Sequence, residues 1–265
     1  MDLLINGKIA LITGGCSGIG FAVAKSLAGE GVKVCVTSRS EKKVKEAVDA
    51  LNEICQNDHL GIVSDISLEG ETEVVFSQVM KKHGRLDILI NNVGDTLGIL
   101  DPYCPLEDWN RLFKLIMGVA IELNNLAIPV MKANKWGRIV NITAGASMEN
   151  SGPVPYCSFK AAFTAYTRSM ARVLALEGNN TVMTAVLPGV VITEDGHWSN
   201  VMRDRPEHAE KYLEDRTVLK RFGVPEEVSP IVTLLASDLA SFCIGSIIPV
   251  EGGQAKHYFQ KVDDF

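Results

Sequence analysis

Ile9-Ala10-Leu11-Ile12-Thr13-Gly14-Gly15-Cys16-Ser17-Gly18-Ile19-Gly20 is the stretch that decides the fold. It opens with an uninterrupted apolar run, of the kind found in strands buried on both faces. A turn rich in glycine follows, where the backbone can bend tightly and a ligand can come close. Phe21–Ala28 then repeats apolar residues at helical spacing. A strand, a glycine turn and a helix in that order put free backbone N–H groups and the positive end of a helix dipole at one point. A pyrophosphate sits well there. The position of the loop between strand and helix carries this reading, because a glycine-rich turn by itself says little. Its spacing, T-G-x-x-x-G-x-G, differs from the plain G-x-G-x-x-G form.

The same alternation continues outward from this loop. Further apolar runs at Val32–Thr37, Leu60–Val63, Leu86–Asn91, Gly137–Thr143, Thr181–Leu187 and Ser246–Val250 predict six more strands. Between them, Glu41–Ile54, Glu71–Lys82, Trp109–Met131, Tyr156–Glu177 and Glu226–Leu235 read as helices. Strands alternating with helices imply right-handed crossovers and a parallel sheet. The expected fold class is α/β: a doubly wound, single-domain Rossmann fold over 1–265, with a seven-stranded parallel sheet flanked by helices. Residues 194–221 break the rhythm. They hold six Arg or Lys against seven Asp or Glu, with His197, Trp198 and His208. They are expected to form an insertion that lies over an active site as a lid.

With 265 residues, of which 46% are hydrophobic and 22% charged, the chain has the balance of an ordinary globular domain. Its net charge of −6 argues against sequence-independent nucleic-acid binding. The start, Met-Asp-Leu-Leu-Ile-Asn-Gly-Lys, lacks the basic and apolar regions of a signal peptide, and no membrane span is expected. The six cysteines, at 16, 35, 55, 104, 157 and 243, form no C-x-x-C pair and no cluster with histidine. Free thiols in a reducing cytoplasm, and no metal site, are expected.

Further motifs fall at telling places. Asp65 and Ile66 follow the third strand, and Asn91-Asn92-Val93-Gly94 ends the fourth. Tyr156-x-x-x-Lys160 opens a long helix. Pro188-Gly189 ends the sixth strand, with Val191 and Thr193 just beyond. Arg221-Phe222-Gly223-x-Pro225-Glu226-Glu227 and Glu251-Gly252-Gly253 come near the end. Together with the loop, these motifs resemble those of the classical short-chain dehydrogenase/reductase family over roughly residues 5 to 253. The resemblance implies that Gly14, Cys16, Ser17, Gly18, Ile19 and Gly20 hold the pyrophosphate of a dinucleotide. Asp65 and Ile66 would flank the adenine, and Asn92 and Gly94 the ribose region. Pro188, Gly189, Val191 and Thr193 would lie toward the nicotinamide.

The end of the second strand reads Val36-Thr37-Ser38-Arg39-Ser40, without the acid that grips a ribose 2′-hydroxyl in NAD-binding folds. Ser38 stands in the place of that acid. Arg39 can hold a 2′-phosphate in a bidentate way. NADP is therefore the favoured cofactor and NAD the alternative. Moving a hydride to or from a carbonyl also requires moving a proton at the oxygen. A tyrosine pKa near 10 falls beside an ammonium. Tyr156 and Lys160, four apart on a helix, share one face, and the family uses this pair as its acid–base centre.

Two positions depart from the family pattern. A serine after the fifth strand usually meets the substrate oxygen. Counting back from Tyr156 gives Thr143, matching the local Asn-Ile pattern gives Ala144, and Ser147 is a third candidate. An asparagine in the fourth helix usually supports a proton relay, and Ile116 stands there. Asn124 and Asn125 look too distant to replace it. The leading expectation is an NAD(P)-dependent oxidoreductase interconverting a secondary alcohol and a ketone, with a polar, sugar-like substrate favoured over a steroid-like or acyl one. The alternative is a catalytically weak NADP-binding sensor or scaffold. Long helices with more than one apolar face suggest a homodimer or homotetramer.

Overall fold

The computed structural model describes residues 1–149, 152–194 and 196–254. Asp195 of the expected lid, and residues 150, 151 and 255–265 of the expected domain, lie outside the described residues. In chain order the first half holds β1 (Ile9–Ile12), α1 (Gly18–Gly29), β2 (Lys33–Ser38), α2 (Glu41–Ile54), β3 (Leu60–Val63), α3 (Glu71–His83) and β4 (Ile88–Asn91). Then come α4 (Leu106–Phe113), α5 (Val119–Ala133), β5 (Gly137–Ile142), α6 (Val154–Leu176) and β6 (Thr181–Pro188). α7 (His197–Asp204), α8 (Pro206–Arg216), α9 (Pro225–Leu235) and β7 (Ile247–Val250) complete the order.

The strands form one seven-stranded sheet in the order β3-β2-β1-β4-β5-β6-β7, parallel throughout. The chain starts at the centre, runs outward to β3, then returns to the other side of β1 as β4. That reversal leaves a crevice at the carboxyl ends of β1 and β4, where ligands bind in doubly wound sheets. Leu27 of α1, Leu51 of α2 and Val232 of α9 seal one face of the sheet. Val79 of α3, Leu123 of α5 and Leu174 of α6 seal the other.

β1, β4, β5 and β6 are buried at every residue, as the apolar runs predict. β3 and β7 are edge strands and are only partly covered. β7 carries Pro249, whose missing N–H is tolerated at an edge. The single helix expected at Trp109–Met131 is three pieces. A π-helical turn at Lys114–Gly118 joins α4 to α5, with the Val119 N–H reaching the Lys114 carbonyl. By length and composition this stretch, Leu106–Ala133, could cross a membrane, contrary to the sequence expectation. Half of its apolar window is buried against the rest of the fold, which is the position of a core helix.

The amino ends of the strands are closed by paired charges. Asp87, fully buried, accepts from the Ile9 N–H at 2.9 Å and pairs with Arg85. Arg138, also fully buried, donates to the carbonyls of Gly137, Asn180 and Ser237 at 2.8 Å and pairs with Asp238 at 3.1 Å. The Trp136 ring lies 4.5 Å from the guanidinium, and its indole N–H donates to Asp238. At the start of β2, His59 Nδ1 accepts from the Val34 N–H at 3.0 Å.

Candidate active site

The carboxyl ends of the strands are held open rather than closed. The Thr13 hydroxyl accepts from the backbone N–H groups of Asn92 and Val93, at 2.9 and 3.1 Å, so the loops after β1 and β4 are tied together. The Asn92 side chain donates back to the Thr13 carbonyl. Gly14 and Gly18 have φ of +63° and +53°, which other residues rarely adopt. A Cβ on Gly20 would lie 2.5 Å from the Gly14 carbonyl oxygen, so that glycine is required by the packing of the loop. Ser17 precedes α1 without a side-chain cap, and the first N–H groups of the helix depend on another partner. This cradle fits a pyrophosphate.

Two adjoining cavities of about 830 and 530 Å³ open over these loops. Gly14, Ser17, Ser38, Arg39, Asp65 and Ile66 line the larger. Gly18, Ile19, Thr143, Tyr156 and Lys160 line the smaller, with Pro188, Gly189, Val191 and Thr193. Asn92 and Gly94 line both. Two expected residues line neither cavity. Gly20 serves the loop itself, and Cys16 packs onto the core beneath α1, where burial pushes its thiol up to about 12. At the far end of the larger cavity, Arg39 is 79% exposed and stands 4.0 Å from the Asp65 carboxylate. The Ser38 hydroxyl accepts from the Ser40 N–H. An exposed guanidinium with no acid at the end of β2 suits a 2′-phosphate.

Prolines 153 and 155 set the start of α6 at Val154, so Tyr156 and Lys160 fall in its first two turns. Lys160 Nζ lies 5.6 Å from the centre of the Tyr156 ring and donates to the Ile142 carbonyl at 3.0 Å. Lys160 is 3% exposed, and this burial lowers its ammonium to about 8. The Tyr156 phenol is pushed above its ordinary value, by burial first and then by Cys157 and Asp95. The expected lowering by lysine is not found in the protein alone, where burial disfavours both the phenolate and the ammonium.

The three candidate hydroxyl positions separate. Thr143 lines the smaller cavity, and its hydroxyl donates to the Val186 carbonyl at 3.4 Å. Ala144 lines the cavity and has no hydroxyl. Ser147 lines neither of the two cavities; its Oγ is buried without a hydrogen-bond partner among the described residues. Ile116 is buried in a cluster with Leu112, Met117 and Phe163, against which Tyr156 packs, and offers no polar group.

Asn124, which looked too distant to matter, belongs to a buried amide chain. Asn91 donates to Asn124 at 3.0 Å and to Asn141 at 2.8 Å. Asn141 donates to Thr167, and Asn124 to the Tyr166 hydroxyl. The chain fastens the ends of β4 and β5 to α5 and α6, and so fixes the segments that carry Asn92 and Thr143. A sequence signal exists in hindsight: Asn91 and Asn141 close two neighbouring apolar strands at paired positions. The reading also missed Tyr212 and Gln254, which line the wall of the smaller cavity with Trp198.

Comparison with known proteins gives a consistent result. A family model described as enoyl-(acyl carrier protein) reductase matches residues 14–255. The chain is 33% identical over 255 residues to 3-oxoacyl-(acyl-carrier-protein) reductase FabG of Aquifex aeolicus, spanning 96% of this chain and 99% of that protein. Among solved structures, L-sorbose reductase from Gluconobacter frateurii, complexed with NADPH and L-sorbose, superposes with a TM-score of 0.89 at 26% identity, covering 97% of this chain and 99% of that one. A 7α-hydroxysteroid dehydrogenase complexed with NADH and 7-oxo glycochenodeoxycholic acid gives 0.86 at 28% identity, covering 96% of each chain.

Proposed function

The chain belongs to the classical short-chain dehydrogenase/reductase family and is an NAD(P)-dependent alcohol–ketone oxidoreductase; on that premise we propose that it uses NADP, with Tyr156 as its acid–base and a polar, sugar-like carbonyl compound as substrate. The observation that carries this reading is the Tyr156–Lys160 pair facing one cavity beside Gly94 and the glycine turn.

When bound, the dinucleotide supplies or accepts the hydride. Tyr156 gives a proton to the ketone oxygen in reduction and takes it back in oxidation. Burial keeps the phenol protonated at neutral pH, the form that reduction needs. Lys160, held by the Ile142 carbonyl, sets a positive charge behind the ring where phenolate charge develops. Thr143 is the hydroxyl assigned to the substrate oxygen, since Ser147 lines neither cavity and Ala144 has no donor. Arg39 and Ser38 take the 2′-phosphate, and without one the same cleft accommodates NAD. The remaining proposed contacts follow the lining of the two cavities: Gly14, Ser17, Gly18 and Ile19 at the pyrophosphate, Asp65 and Ile66 at the adenine, and Pro188, Gly189, Val191 and Thr193 toward the nicotinamide.

Support for a polar substrate comes from the cavity wall, where Tyr212 and Gln254 stand beside Trp198, and from the likeness to the sorbose enzyme. Residues 194–221 act as the lid, with α7 and α8 carrying that wall. Exposed apolar side chains on α4 and α6, Leu106 and Leu176 among them, support a homodimer or homotetramer, and the free thiols suit the cytoplasm. Steady-state turnover with NADPH and a panel of carbonyl compounds tests the reading. Tyr156→Phe is expected to cut turnover by about 10²–10⁴-fold while NADPH binding, measured by fluorescence titration, stays within a factor of about two. Full turnover in this variant would sink the assignment. With Thr143 in that role, Thr143→Val is expected to inactivate the enzyme and Ala144→Ser to leave kcat/KM unchanged. A rise of up to about tenfold in Ala144→Ser would instead show that the hydroxyl is missing at position 144.

A further inference from the structure

Glu251-Gly252-Gly253 entered the sequence reading only as a closing motif, yet its geometry points to a role. Gly252 and Gly253 have φ of +60° and +78°, so the chain leaving β7 doubles back in left-handed backbone. The turn brings Gln254, 3% exposed, to the wall of the smaller cavity. A Cβ on Gly189 would lie 2.8 Å from Gln254 Oε1, so the glycine that ends the Pro188-Gly189 motif makes room for this amide.

The orientation of the amide is determined by its partners. The Val190 N–H, 2.9 Å away, can only donate, so it faces Gln254 Oε1. Nε2 then faces the Glu149 carboxylate at 2.6 Å and the Tyr212 hydroxyl oxygen at 3.2 Å. Both of its hydrogens are engaged. One buried side chain thereby joins the segment after β6, the segment after β5, and α8. The Tyr212 ring lies 4.5 Å from Trp198, which packs in turn on Phe222 at 5.2 Å. Trp198 and Tyr212 both line the cavity.

We propose that Gln254 is a specificity-determining positioning residue: it locks Tyr212, and through Tyr212 the Trp198 ring, into the wall against which the carbonyl substrate lies. This rests on the function proposed above. It places the grip on the substrate in a clamp that Gln254 closes by drawing together the segments after β5 and β6 and α8. A loosened clamp therefore weakens hold on the substrate more than hold on the cofactor, whose segment it meets through the Val190 N–H.

The test compares the full-length wild type with Gln254→Leu, Tyr212→Phe and the double variant, in steady-state kinetics with NADPH and a carbonyl substrate that the wild type turns over. Gln254→Leu is expected to raise KM for the carbonyl substrate about tenfold or more, with kcat and the KM for NADPH within about threefold of wild type. Tyr212→Phe keeps the ring and loses the bond from Gln254, so about a threefold rise is expected. The double variant should be no worse than Gln254→Leu, since both act through one clamp. An unchanged carbonyl KM in either single variant, or equal rises for carbonyl and NADPH, overturns the proposal. Should Gln254→Leu fail to fold, Tyr212→Phe alone decides it. If the wild type turns over no carbonyl compound, the proposed function fails, and tryptophan fluorescence decides the clamp independently. A Gln254→Leu emission shift that disappears in a Trp198→Phe background supports it, and unchanged emission overturns it.

Discussion

At the amino ends of the strands, Arg138 and Asp87 are buried completely, and each has a charged partner and further hydrogen bonds. At the carboxyl ends, Lys160 is almost as deeply buried and is given a single backbone carbonyl. The Tyr156 hydroxyl makes no hydrogen bond to any described residue, and the start of α1 has no side-chain cap. One sheet thus has an end where buried charges are paired within the protein and an end where a buried ammonium has no acid beside it among the described residues. The difference separates stability from chemistry. Groups left under-satisfied cost stability and are retained where their partners arrive with the reaction.

The comparison can be broken by exchanging charges for apolar residues at each end. Arg138→Met leaves Asp238 with the Trp136 indole N–H but strands three carbonyls, and is expected to destabilise by about 3–5 kcal/mol in denaturant unfolding. The fraction that stays folded should keep its kcat/KM, and a specific loss of activity would show that the two ends are not independent. Lys160→Met is expected to do the opposite. Burial lowers Lys160 from 10.5 to about 8, so the unfolded chain binds more protons between those values. The cost of burying the ammonium is therefore full below about pH 8 and fades as pH rises toward 10.5. Removing the charge should stabilise the fold at neutral pH by on the order of 1–3 kcal/mol while turnover collapses. A melting-temperature gain that grows instead of shrinking toward high pH would contradict this account. The smallest effect is expected at the rim. Arg39→Ala should weaken NADPH about tenfold more than NADH, roughly one charge-assisted hydrogen-bonded contact, and leave the melting temperature unchanged. Equal losses for both dinucleotides would remove the case for 2′-phosphate recognition.

The same division explains what could be read from the sequence. The seven strands were legible because a central parallel strand must be largely apolar, and β1, β4, β5 and β6 are buried at every residue. The glycine turn and the Tyr156–Lys160 pair were legible because their chemistry dictates residue type and spacing. α7 and α8 were not, since α7 buries only Val201 and α8 only Ala209, too little to leave a stripe. Pro206 at the start of α8 was the one local sign. Gln254 and Asn124 escaped because an amide's role depends on partners up to 105 positions away, which no local pattern encodes.

The π-helical turn at Lys114–Gly118 has a consequence for how this gene can vary. An α-helix advances about 100° per residue, and a π turn takes up one extra residue within an otherwise continuous helix. Everything after Gly118 is therefore set in angle by that residue. With it in place, Leu123 and Ala127 face the sheet and Asn124 meets Asn91. Straightening the turn into regular α-helix at unchanged length would swing the second half by about 100°, carrying Asn124 away and presenting Glu122 or Asn125 to the core. Deleting one residue within 114–118 would remove the extra residue together with the turn and leave the later faces where they are, so the segment acts as a spacer that absorbs a change of length by one.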